Sequence, residues 1–162
     1  MARVYLGLGS NIDPELNLRL ALDELERRFG RLRLSPVYQG PAAGFDGPDF
    51  LNLVAAIETD ASPAEIHAEI EEIHKLAGRQ RDADPFSSRT LDIDMLLYDD
   101  LIVDEPPIRL PRPDILEYAF VLRPLADLAP DMLHPETGKT FREHWEACEK
   151  EAVNLMHVDV NL

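Results

Sequence analysis

The sequence predicts an α+β fold, and three observations predict it. Four short apolar runs read as strands, two amphipathic stretches between them read as helices, and charged or Pro/Gly-rich segments separate them. Their order is strand, helix, strand, strand, helix, strand. That is the ferredoxin-like βαββαβ order, an antiparallel sheet with helices packed on it, here followed by a C-terminal helical extension.

Each element has its own signal. Arg3 to Gly9 (RVYLGLG) is a short apolar strand ending in glycine, and its glycines read as a tight turn rather than a phosphate loop. Asp13-Pro14-Glu15 supplies an N-cap, a proline at the first helical position and an acidic first turn. The helix that follows carries Leu16, Leu20, Leu22, Leu25 and Phe29 and stops at Gly30. A second strand is expected over Arg31 to Tyr38, then a Gly/Pro/Ala-rich loop from Gln39 to Asp49. Phe50 to Thr59 (FLNLVAAIET) is an apolar strand with one polar residue, Asn52.

Ser62-Pro63-Ala64-Glu65 has the form of a capping box and opens the second helix, whose inward stripe is Ile66, Ile70, Ile73 and Ala77 before Gly78. A charged loop, Gly78 to Arg89, leads into a fourth strand, Leu91 to Tyr98. A short strand around Leu101 to Val103 and a Pro-punctuated segment, Glu105 to Pro113, come next. Phe120 to Leu128 and Thr140 to Glu149 read as helical.

The chain has 162 residues, 45% of them hydrophobic and 29% charged, as expected of one globular domain spanning 1–162. A formal charge of −15 argues against non-specific nucleic-acid binding, which needs cations facing phosphates. Cys148 is the single cysteine, so no intrachain disulfide can form. No apolar run reaches the roughly 20 residues of a membrane span, and the N-terminus lacks a signal-peptide pattern. A cytoplasmic monomer is expected.

The sharpest chemical feature is Arg89-Thr90-Leu91-Asp92-Ile93-Asp94. Alternation along a strand puts Asp92 and Asp94 on one face, with Ile93, Met95 and Leu97 on the other. Two carboxylates one pleat apart repel each other unless a cation lies between them, and carboxylates suit Mg²⁺, which completes its shell with water and phosphate oxygens. An isolated D-x-D is usually just the polar face of a strand. Here Arg89 precedes it and Arg79 and Arg81 share the preceding loop, the pairing of metal ligands with guanidinium donors that polyphosphate transfer requires. Asn52 offers donors and an acceptor to the edge of a heterocycle, or is satisfied by backbone; Phe50 and Phe120 offer ring faces, or are core. His67 and His74 are seven apart, without the i, i+4 spacing of a helical zinc site, and read as flank or surface residues.

These motifs together resemble the 6-hydroxymethyl-7,8-dihydropterin pyrophosphokinase family over nearly the whole chain. The resemblance is carried by Gly9-Ser10-Asn11, by Pro48-Asp49-Phe50-Leu51-Asn52 and by Gly78-Arg79 with Arg81. R-T-L-D-I-D at 89–94, Phe120-Val121-Leu122 with Pro124-Leu125, and Ala129-Pro130 complete it. It implies transfer of pyrophosphate from ATP to a reduced pterin alcohol in folate synthesis. By that resemblance Asp92 and Asp94 would hold two Mg²⁺ ions, and Arg79 and Arg89 would stabilise the transferring group. Arg81, Arg112 and Tyr118 would lie on the ATP side. Gly40, Pro41, Ala43, Phe50, Asn52 and Phe120 would hold the pterin. The chain departs from the family pattern at His74 (usually glutamate), Phe86 (in a loop usually carrying Trp-Gly-Pro), Arg112 (usually histidine) and Tyr118 (usually arginine). The alternatives are a relative with altered pterin or nucleotide specificity, or a non-catalytic pterin binder.

Overall fold

The computed structural model describes residues 1–42, 47–78, 91–148 and 155–162. The elements are β1 (Ala2–Ser10), α1 (Pro14–Phe29), β2 (Arg33–Leu34), β3 (Val37–Gly40), β4 (Phe50–Thr59), α2 (Pro63–Leu76) and β5 (Asp92–Tyr98). Then come β6 (Val103–Glu105), β7 (Ile108–Leu110), α3 (Asp114–Glu117), α4 (Ala119–Leu128), α5 (Phe141–Cys148) and β8 (Met156–Val158). The main sheet runs β5-β1-β4-β3-β8, with β2 also beside β4, and its described pairings are antiparallel. β1 and β3, joined through α1, are separated by β4; this is the split arrangement the element order predicts.

The expected second strand is two strands, because Pro36 lacks a backbone N–H. Ser35 bridges the break: its N–H donates to the Val54 carbonyl (2.9 Å), and its Oγ accepts from the Val54 N–H (2.8 Å). Asp13 makes no side-chain cap; it sits at φ 42°, and α1 starts from Pro14 at its N-terminus. The buried stripe of α1 is Leu18, Ala21, Leu22 and Leu25, whereas Leu16 is 65% exposed and Leu20 only partly buried. A leucine-rich helix offers more than one apolar stripe; the stripe that faces the sheet has the i, i+3, i+4, i+7 spacing. In α2 the Ser62–Glu65 capping box forms in both directions (3.2 and 3.1 Å), and Ile66, Ile70 and Ile73 face inward as expected.

Each sheet face has its own core. Val4, Leu6, Leu8, Leu53, Ile57 and Ile93 pack under α1 and α2. On the other face Tyr5, Val54, Ala56, Leu96 and Leu97 pack under the C-terminal helices through Ile115, Leu122, Leu125 and Phe141. Leu97 therefore lies opposite its expected face. A bulge causes this: Tyr5 pairs with Leu97 but Leu6 with Met95, leaving Leu96 as the extra residue, so Leu96 and Leu97 both turn toward the C-terminal layer. The strand expected near Leu101 is β6, which pairs with β7 inside the Pro-punctuated segment. β8 extends the sheet beyond β3 and has no counterpart in the sequence reading.

The turn between α4 and α5 is organised by His134, which is 4% exposed. Its Nδ1 accepts from the N–H groups of Glu136 (3.1 Å) and Thr137 (3.3 Å), so the neutral ring is the one that fits. Burial, then the nearby His144, holds the His134 pKa below its ordinary value, against a smaller opposite pull from Glu136; burial and Lys139 lower that of His144, opposed by Glu143. With both folded-state values depressed, the unfolded chain binds more protons as pH falls below about 6.5. Stability present above that pH is therefore lost as pH falls through the folded-state values. Melting temperature is expected to drop on acidification and to drop less steeply in His134→Asn, whose amide oxygen can accept the same N–H groups without titrating. Equal slopes would contradict this.

Candidate active site

Along the C-terminal-layer face the apolar cover ends where Asp94 begins. Gly7 stands opposite Asp94, and Gly9 stands between Asp92 on one side and Asn52 on the other. Tyr38 continues this row beyond Asn52, and Gly40 faces Phe50 one step along. Paired residues of an antiparallel ladder share a face, so the two aspartates, Asn52 and Phe50 rise from one surface with a glycine floor.

The glycines lie inside β1 rather than in a turn, and Gly9 is there for space. A Cβ at Gly9 would lie 2.6 Å from Asn52 Oδ1 and 3.7 Å from Phe50 Cδ1. The Asn52 amide thus leans across β1 into room that only glycine leaves, and Asn52 is 8% exposed. Gly9→Ala should displace Asn52 and, if Asn52 holds the pterin as the resemblance implies, weaken pterin binding by about 1–3 kcal/mol, the cost of an unpaired buried amide. Direct titration with a reduced hydroxymethylpterin checks this against Asn52→Ala, which should match it. Wild-type affinity in either variant would remove Asn52 from the pocket.

Next to the aspartates lies a half-buried cation. Arg112 Nη2 is 3.5 Å from Asp94 Oδ1, and its Nε is 3.5 Å from Asp114 Oδ2. The Nε contact is an ion pair without hydrogen-bond alignment, and this buried N–H has no hydrogen-bond acceptor among the described residues. Burial disfavours the guanidinium charge, but Asp94, Asp114 and Asp92 outweigh it and raise the Arg112 pKa above its ordinary value. The backbone holds Arg112 in place: its N–H donates to the Leu96 carbonyl at 2.9 Å, at the bulge of β5. A cavity of about 150 Å³ adjoins it, bounded by His74, Asp94, Met95, Ile108, Leu110 and Arg112.

No cluster of three or more metal-ligating side chains exists among the described residues. Two carboxylates alone do not enclose a cation, but they fit one that draws its other ligands from water and substrate phosphate, as Mg²⁺ does. The Arg112 guanidinium fits the same reading, since it places a positive charge beside Asp94 where phosphate oxygens would gather.

Several predicted residues come together. Asp92, Asp94 and Arg112 form one cluster; Gly40, Phe50 and Asn52 form another across Gly9. Tyr118 and Phe120, assigned to opposite substrates, stack on each other with ring centroids 5.0 Å apart and 24° between planes. Pro41 is exposed and outside any strand. Ala43, Arg79, Arg81, Phe86 and Arg89 lie outside the described residues.

Two residues have parts that the sequence reading missed. Asn11, 4% exposed, donates from Nδ2 to the Pro48 carbonyl (3.1 Å), tying the end of β1 to the segment that enters β4. His74 is not a surface residue: it is 4% exposed, and its Nε2 accepts from the Ile93 N–H at 2.9 Å. A polar residue next to the apolar stripe of α2 was the available signal.

Comparison with known proteins identifies the family. The family model for 7,8-dihydro-6-hydroxymethylpterin-pyrophosphokinase (HPPK) matches residues 5–130. The 2-amino-4-hydroxy-6-hydroxymethyldihydropteridine pyrophosphokinase of Pseudomonas aeruginosa is 38% identical over 95% of this chain and 96% of its own. That of Porphyromonas gingivalis strain W83 is 39% identical over 84% of this chain and 96% of its own. Among solved structures, wild-type Plasmodium falciparum HPPK-DHPS superposes with a TM-score of 0.79 at 14% identity, over 98% of this chain and 48% of that one. The chain thus spans about half of that longer protein, and at such identity the likeness concerns the fold alone. On the strength of the family match and the bacterial relatives, the chain belongs to the HPPK family.

Proposed function

We propose that this protein transfers pyrophosphate from Mg-ATP to 6-hydroxymethyl-7,8-dihydropterin, giving AMP and the pterin diphosphate, in folate biosynthesis. The observation that carries the reading is one sheet face with Asp92, Asp94 and Arg112 on one side of a glycine floor and Asn52 and Phe50 on the other. A phosphate-binding half and a heterocycle-binding half meet across Gly9.

In this reading the pterin hydroxyl oxygen bonds to the β-phosphorus of ATP, and the bond from that phosphorus to the α–β bridging oxygen breaks. AMP leaves with the bridging oxygen, and the hydroxyl proton passes to solvent. Asp92 and Asp94 would hold the divalent ions, whose contribution when bound would be to neutralise phosphate charge. Arg112 offers its guanidinium charge to the nucleotide phosphates, and the resemblance assigns Arg81 and Tyr118 to the same substrate. Arg79 and Arg89 meet the transferring group. The Asn52 amide pairs with the pterin edge, and Phe50 and Phe120 supply ring faces; the resemblance assigns Gly40, Pro41 and Ala43 to the same substrate. Catalysis is positioning and charge stabilisation without a covalent enzyme intermediate.

We further propose that residues 1–162 act as one catalytic domain, as a monomer in the cytoplasm, without nucleic-acid partners. No helix among the described residues is long and apolar enough to cross a membrane.

The test is nucleotide analysis after incubation with ATP, Mg²⁺ and the reduced pterin. AMP should form in step with pterin consumption and stop when Mg²⁺ is chelated. Accumulation of ADP instead, or pterin-independent hydrolysis, would refute the proposal.

A further inference from the structure

We infer that His74 is a positioning residue for the aspartate pair: it clamps the outer edge of β5 between Asp92 and Asp94. The inference rests on the function proposed above, since it concerns how that site is held.

Among the described residues β5 is the edge strand of the sheet, paired with β1. Along the other edge, backbone groups need partners from outside the sheet. The Ile93 N–H, in the peptide between the two aspartates' residues, points to that outer edge and donates to His74 Nε2 at 2.9 Å. The acceptor is well fixed. His74 is 4% exposed, sits in the last turn of α2 beside the buried Ile70 and Ile73, and its Nδ1 lies 3.3 Å from Glu71 Oε1. Glu71 thus favours the tautomer with the proton on Nδ1, which leaves the Nε2 lone pair for the strand. Three residues along, the Arg112 N–H holds the Leu96 carbonyl at 2.9 Å. The stretch from Ile93 to Leu96, which contains Asp94, is therefore pinned at both ends by elements other than β1.

The geometry needed for paired carboxylates explains why this matters. A strand edge held by one neighbour can twist, and a twist between residues 92 and 94 would change the angle between the two side chains that share the face. An imidazole locked by core packing and by Glu71 removes that freedom.

The experiment compares His74→Leu, which keeps bulk but removes the acceptor, with His74→Gln, whose amide oxygen can accept from the same N–H. Two readouts are independent of turnover: amide hydrogen exchange at Ile93 in the metal-free protein, and affinity for Mn²⁺ with a methylene-bridged ATP analogue. In His74→Leu, Ile93 exchange should rise about tenfold or more and Mn²⁺ affinity should fall about tenfold, while His74→Gln stays within about threefold of wild type in both. Glu71→Gln serves as the second variant should His74→Leu fail to fold; it should weaken Mn²⁺ binding by a smaller factor, and wild-type affinity there would overturn the proposal. Faster Ile93 exchange with unchanged Mn²⁺ affinity in a folded His74→Leu would also overturn it, leaving the proposed function intact. If wild type itself bound no Mn²⁺ with the analogue, the proposed function would fail first and the positioning role with it.

Discussion

Asp92→Asn and Asp94→Asn are each expected to remove turnover while the protein stays folded. Both side chains stand about a third exposed or in the intermediate range at the uncovered end of a sheet face, so neither supports the core. Asparagine keeps the size and one acceptor oxygen but loses the charge. In the metal-free protein two effects oppose each other: losing the charge gives up attraction to Arg112 and relieves repulsion among Asp92, Asp94 and Asp114. Thermal stability without metal should therefore stay close to wild type. Activity should fall by about a thousandfold or more, since metal stabilisation of transferring phosphate supplies several kcal/mol and each 1.4 kcal/mol is tenfold. Circular dichroism with a Mg²⁺-saturated rate assay separates the two effects. A folded asparagine variant with near-wild-type rate at limiting Mg²⁺ would contradict the metal assignment.

Arg112→Ala should weaken Mg-ATP binding by at least about tenfold, or 1.4 kcal/mol. Arg112 replaces a histidine usual in the family, and the resemblance also leads to an arginine where this chain has Tyr118. On that resemblance, a permanently charged fork in place of an imidazole would partly restore the cation that Tyr118 does not supply. The structure adds a second expectation. Because Arg112 lies 3.5 Å from Asp94, it would compete for that carboxylate with a metal ion held there. Its removal should leave binding of the bare ion unchanged or tighter while binding of the nucleotide weakens. It should also destabilise the metal-free protein, though by less than the about 3–5 kcal/mol seen when a fully buried pair is broken, since both side chains are 31% exposed. Calorimetric titrations with Mg²⁺ alone and with Mg-ATP give both numbers. Unchanged ATP affinity would make Arg112 a partner of Asp94 and Asp114 only.

Much of the fold was legible because its signals are local. The apolar runs of β1, β4 and β5, the capping box at Ser62 and the glycine stops are written in adjacent residues. The shared face of Asp92 and Asp94 was legible for the same reason, from the period of two. The alternation failed at Leu97, because a one-residue bulge against Tyr5 and Leu6 resets the faces and leaves no mark in DIDMLLY. In α1 the choice between Leu16 with Leu20 and Leu18 with Ala21 depends on which stripe meets the sheet, a matter of packing. His74 was misread since its partner, Ile93, lies 19 residues away and is a backbone amide, invisible to side-chain pattern. The role of Gly9 is likewise tertiary: its missing Cβ matters only once Asn52 is opposite.

The most direct test of the whole account is phosphorus NMR of ATP, Mg²⁺ and 6-hydroxymethyl-7,8-dihydropterin mixed with the protein. The three ATP resonances should disappear with matching growth of AMP and of a two-phosphorus organic diphosphate. Growth of ADP with a pterin monophosphate, or of free pyrophosphate with AMP and unchanged pterin, would contradict it.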